Sequence, residues 1–83
     1  MPEKEVFFND AAGCIVSLLS VSQKVEGITL SGFAYSLKNE TLCMGETRGL
    51  SNYINESMAK IEFRAGDLLV IRYWKTDLFP EAA

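Results

Sequence analysis

The sequence predicts an all-β domain: a small, strongly bent barrel of five strands. Three observations carry this. Apolar residues alternate with a period of two along most of the chain, the pattern of strands that bury one face. Glycine, asparagine and aspartate break the chain into short runs, as turns do between strands. No stretch has the sustained 3.6-residue period of an amphipathic helix.

The elements follow in order. Residues 14–21 are rich in branched side chains and follow Gly13, which suits the start of a first strand. In that strand Val16 and Leu18 take the core phase, while Ile15 and Leu19 lie on the other face. Residues 22–27 read as a hairpin connection into a second strand over 28–37. Its apolar phase runs Ile28, Leu30, then Phe33, Tyr35 and Leu37, slipping by one residue at Gly32. A slip at a glycine inside a strand marks a bulge or a strong bend. After a turn at residues 38–40, residues 41–44 form a short third strand. The polar stretch 45–57 is a long connection, residues 60–63 a fourth strand, and residues 68–74 the fifth. In the last strand Leu68, Ile71 and Tyr73 are assigned to the core, with Val70 and Trp74 facing out. SH3-like and oligonucleotide-fold barrels share this strand count, and small sheets escape exposed edges by curling. The division along the chain is an N-terminal extension over 1–12, the barrel over 13–75 and a frayed C-terminal tail over 76–83.

Composition narrows the function. The chain has 83 residues, enough for one domain but too few for a multidomain enzyme. With 48% hydrophobic and 23% charged residues it belongs among ordinary globular domains. A net charge of −3 argues against a dedicated polyanion binder, which carries a basic surplus. No apolar run approaches the length that spans a bilayer, and residues 1–5 lack the features of a signal peptide. Cys14 and Cys43 each sit in an apolar run and read as buried thiols of a reducing cytoplasm. Histidine is absent, which removes the commonest general base and metal ligand. Two isolated cysteines make no ordinary zinc site, and no glycine-rich phosphate loop precedes a helix. The expectation is a non-catalytic domain with neither metal nor cofactor.

At Gly13-Cys14-Ile15-Val16-Ser17 and at Phe63-Arg64-Ala65-Gly66-Asp67-Leu68 the chain resembles the divergent Sm-like (LSm) domain of the enhancer-of-mRNA-decapping family. In that family a Gly-x-hydrophobic-Val-Ser strand opens the domain, and a Phe-Arg-Ala-Gly-Asp-Ile type segment leads into the last strand. The resemblance implies an Sm-like barrel acting as a monomeric adaptor in cytoplasmic mRNA decay, within processing bodies. Its partner would be a leucine-rich helical motif of the decapping enzyme or its activator, laid in an apolar groove. Side chains out of phase with the core are the candidates to line that groove: Leu19, Tyr53, Ile54, Val70 and Trp74.

Two other readings stand beside this one. Ring-forming Sm proteins hold a uridine with loop residues, but here Ala34 follows Gly32-Phe33 and Ala65 separates Arg64 from Gly66. Asn39 also falls one position late, so weak or absent RNA binding is expected. The third reading is an unrelated small β-barrel accessory protein of a phage or bacterium.

Overall fold

The computed structural model describes residues 4–74. Seven strands run in the order β1 (Lys4–Asn9), β2 (Cys14–Ser20), β3 (Lys24–Ser31), β4 (Glu40–Cys43), β5 (Asn52–Tyr53), β6 (Met58–Phe63) and β7 (Leu68–Trp74). They form two antiparallel sheets, one of four strands ordered β1-β6-β3-β4 and one of three ordered β5-β2-β7. The all-β class is as expected, and no helix occurs among the described residues. Among the described residues the strand count is seven rather than five, arranged as two layers around a shared core.

Alternation explains the layers. In β2, Cys14, Val16 and Leu18 are buried, as the sequence phase requires, and Ile15 and Leu19 lie on the outer face. Across the core stand Val25, Ile28 and Leu30 of β3, Leu42 of β4, and Ala59, Ile61 and Phe63 of β6. Each fully buried Leu, Ile or Val of this set contributes roughly 1.5–3 kcal/mol by leaving water.

Four expectations are corrected. Residues 4–9, assigned to an extension, form β1, paired in register with β6 from Lys4↔Phe63 to Asn9↔Met58. Phe8 enters the core there, while Phe7 points outward under the Lys60 ammonium, 5.8 Å from the ring centroid. At Gly32 the strong bend holds and the bulge does not, and the second strand stops short of residue 37. β3 ends at Ser31, and its register shift falls earlier, between Val25 and Ile28. In β7 the assigned phase holds at Leu68, which packs against the core, and is reversed from Val70 on. Pairing with β2 is regular from Cys14↔Trp74 to Ser20↔Leu68, so strict alternation turns Val70 inward opposite Leu18 and leaves Ile71 exposed. Cys43 is exposed, because Leu42 takes the inward position of β4; Cys14 is buried as expected. The expected tail over 76–83 lies outside the described residues.

Two tight turns hold the layers. Gly66 has φ +103°, and a β-carbon there would meet the Lys24 carbonyl oxygen. Gly32 has φ +82°, and a β-carbon would lie 2.5 Å from the Met58 carbonyl oxygen. Between β4 and β5, the Cys43 N–H donates to Glu46 Oε1 at 2.7 Å and Arg48 bridges Glu46 and Glu40. The Cys43 N–H, with Arg48 adding to it, holds the Glu46 carboxyl below the ordinary glutamate range.

Two outcomes follow. Gly32→Val should cost about 1–3 kcal/mol from the backbone conformation alone, and more from the clash, read as a lower midpoint in urea. A group with a depressed folded pKa stabilises above its unfolded value, and this contribution is lost as pH falls through the folded value. Glu46→Gln should therefore lower stability slightly at neutral pH and flatten the acid limb of a stability-versus-pH curve.

Candidate functional site

Beyond Gly32 the chain leaves the four-stranded sheet and runs beside β5. Phe33 bridges to Ile54, the Ala34 N–H donates to the Tyr53 carbonyl at 2.8 Å, and the Asn55 N–H donates to the Gly32 carbonyl at 3.0 Å. Phe33 turns inward and meets the Phe8 ring edge-to-face, with centroids 6.4 Å apart. Two residues on, Tyr35 is exposed. This segment ties one sheet to the other at a corner.

Asn52 fastens the corner. Its side chain is buried, on the core side of β5 opposite Val16. Its Oδ1 accepts from the Tyr35 N–H at 3.0 Å and from the Tyr53 N–H at 2.9 Å. Its Nδ2 donates to the Tyr35 carbonyl at 2.7 Å. A carboxamide offers both a donor and an acceptor, and here both are directed at backbone that no strand partner satisfies. Ser51 before it sits at φ 56°, a left-handed position, and its N–H donates to Ser17 Oγ at 3.0 Å.

The consequence is a fixed pair of aromatic rings. Tyr35 and Tyr53 lie edge-to-face, 6.2 Å between centroids at 85°, and are 66% and 44% exposed. No enclosed cavity forms among the described residues, so this right-angled corner opens to solvent. No cluster of His, Cys, Asp or Glu among the described residues could hold a metal ion. Such a corner can take a flat heteroaromatic ring by stacking and a cation over a ring face.

The five residues assigned to a groove are not brought together. Tyr53 stands in the aromatic corner. Leu19 lies half-buried on the outer face of β2, whereas Ile54 is wholly buried in the core. Val70 packs inward against that core, and Trp74 ends β7 opposite Cys14, 42% exposed. Sequence reasoning missed Tyr35 and Asn52. Tyr35 was hidden by its assignment to an inward phase. Asn52 lay in a polar stretch where only its place between a serine and a tyrosine set it apart.

Residues 4–68 match the family described as thiamin pyrophosphokinase, vitamin B1 binding domain. The chain belongs to that family. Its fold is similar to the crystal structure of thiamine pyrophosphokinase from Bacillus subtilis, with a TM-score of 0.75 and 28% identity over 89% of this chain. It is also similar to the thiamin pyrophosphokinase of Geobacillus thermodenitrificans, with a TM-score of 0.73 and 32% identity over 90% of this chain. The match covers 34% of each of those chains, so this chain spans about a third of their length. No curated protein sequence gives a match.

Membership of the B1-binding family overturns the decapping-adaptor assignment, and with it the leucine-rich peptide partner and the processing-body location. The ring-forming RNA binder is likewise unsupported. Arg64 and Asn39, which that reading would aim at a uridine, are joined to each other by a 2.9 Å hydrogen bond. The two similar proteins are enzymes by name, and the expectation of a non-catalytic domain finds no support in them. No helix among the described residues is long and apolar enough to cross a membrane.

Asn52→Ala should strand the Tyr35 N–H and carbonyl and cost about 1–3 kcal/mol in urea unfolding. Ring-to-ring contacts between Tyr35 and Tyr53 in nuclear Overhauser spectra should weaken in the same variant.

Proposed function

We propose that this chain is the substrate-binding part of a thiamin pyrophosphokinase and that it binds vitamin B1 at the Tyr35–Tyr53 corner. The observation that carries the reading is the family match over residues 4–68. Thiamin joins a flat aminopyrimidine to a thiazolium ring with a permanent positive charge. Both halves suit an exposed aromatic pair: one by stacking, the other by attraction to the negative face of a tyrosine ring. A net charge of −3 favours a cationic ligand over an anionic one.

The domain binds and orients its ligand. Pyrophosphoryl transfer needs groups that grip phosphates, and no glycine-rich phosphate loop leading into a helix stands among the described residues. Transfer is therefore assigned to the part of such an enzyme that lies outside the length matched here. The corner supplies a floor and one wall, and the remaining enclosure belongs to that other part.

Calorimetric titration of thiamin into the 83-residue chain tests this directly. Saturable binding is expected, weak because the site is open, with Tyr35→Ala and Tyr53→Ala each lowering affinity by about 1 kcal/mol, or roughly fivefold. The free aminopyrimidine half, lacking the charged ring, should bind more weakly than thiamin. No saturable binding at millimolar thiamin would sink the functional reading. Binding indifferent to both tyrosine substitutions would retain the function and discard the site.

A further inference from the structure

We infer that Arg48 is a positioning residue for the aromatic corner, acting through the strained backbone of Ser51. This rests on the reading that thiamin binds at Tyr35 and Tyr53. Residues 44–51 carry the chain from β4, in one sheet, to β5, in the other. The Arg48 guanidinium fastens this crossing to the strand it leaves. Its Nη1 donates to Glu40 Oε1 at 3.3 Å, its Nη2 donates to the Thr41 carbonyl, and its Nε lies 3.5 Å from Glu46 Oε2. All three nitrogens are engaged, two by β4 and one by the turn after it. A planar fork of this kind fixes direction as well as distance.

The far end of the crossing lies hard against β2. The Leu18 N–H donates to the Gly49 carbonyl at 2.8 Å, and a β-carbon on Gly49 would lie 2.6 Å from the Leu18 carbonyl oxygen. The Leu50 N–H donates to the Thr47 carbonyl at 3.0 Å, closing a tight turn around Arg48. Ser51 comes next, at φ 56°. A residue with a β-carbon stays in that region only where its surroundings impose it. The Ser17 hydroxyl holds Ser51 from one side, and Arg48 sets where the chain enters from the other. Without the fork, Ser51 can return to negative φ. That rotation carries Asn52 away from the Tyr35 and Tyr53 backbone groups it bonds, and the corner opens.

Charge predicts the opposite effect. Arg48 is a cation in a domain read as binding a cation, so by Coulomb attraction and repulsion alone its removal favours thiamin. Its side chain is 43% exposed, and surface ion pairs add little to stability. A loss of affinity on removing it therefore reports geometry.

Thiamin titrations followed by the tyrosine NMR signals of the 83-residue chain are the test. Arg48→Ala should weaken binding about fivefold, the fall expected when the corner is formed in about a fifth of the molecules, with the urea midpoint close to that of the unmodified chain. Arg48→Lys keeps the charge but reaches a single partner, and should fall between the two. Adding Ser51→Gly to Arg48→Ala should restore most of the affinity, because glycine holds a positive φ at no steric cost. Unchanged or tighter binding by Arg48→Ala would overturn the inference, as would a double variant no better than the single one. If Arg48→Ala does not fold, Arg48→Lys with and without Ser51→Gly makes the same comparison. If the unmodified chain binds no thiamin, the functional reading fails by itself, and amide exchange decides this one. The Tyr35 N–H should then exchange faster in Arg48→Ala and slow again with Ser51→Gly; unchanged exchange overturns the inference.

Discussion

One carboxamide does what a strand pairing would otherwise do. Where β3 leaves its sheet at Gly32, the following backbone has to be satisfied without a full ladder, since unpaired buried peptide groups are costly. Asn52 meets that need from inside the core, bonding both the N–H and the carbonyl of Tyr35. The exposed aromatic pair, the junction between the sheets and the path into β5 all depend on it. Aspartate would accept the same two N–H groups but could donate nothing to the carbonyl. Leucine would fill the space and satisfy neither. The position thus has a chemical requirement that size and hydropathy do not describe.

Much of the fold was legible in alternation. The β2 phase, with Val16 and Leu18 inward, needed nothing beyond a period of two and a glycine at its start. The bounds of β7 are legible to the residue, yet beyond Leu68 its faces are inverted: assigning Leu68, Ile71 and Tyr73 to one side breaks the period of two, and the pairing keeps it. β1 was missed for a different reason. Its acidic start resembles a solvated arm, and its adjacent phenylalanines face opposite sides of the sheet, one in the core and one beneath a lysine. Nothing short of the pairing with β6 shows that both rings are accommodated.

The family assignment failed through turn chemistry. The segment from Phe63 to Leu68 ends one strand, reverses at a glycine with φ +103° pressed against a neighbouring carbonyl, and begins the next. Any small antiparallel protein with a tight turn at that place needs the same residue types. The resemblance reported a shared local requirement and said little of what lies around it. The aromatic corner was illegible for the opposite reason. Tyr35 and Tyr53 are eighteen positions apart in sequence, with β4 between them, and no local pattern links them.

The pairing of β2 with β7 also governs how the chain comes to be folded. Cys14 lies opposite Trp74, so the three-stranded sheet joins the second strand of the described chain to its last. Pairings this distant in sequence close large loops, and proteins dominated by them fold in milliseconds to seconds. During synthesis β2 emerges early and waits, with its apolar edge unpaired, until residue 74 has cleared the ribosome. The family match stops at residue 68, where β7 begins. A fragment cut at that point would hold the matched residues yet leave β2 without the neighbour that completes its sheet.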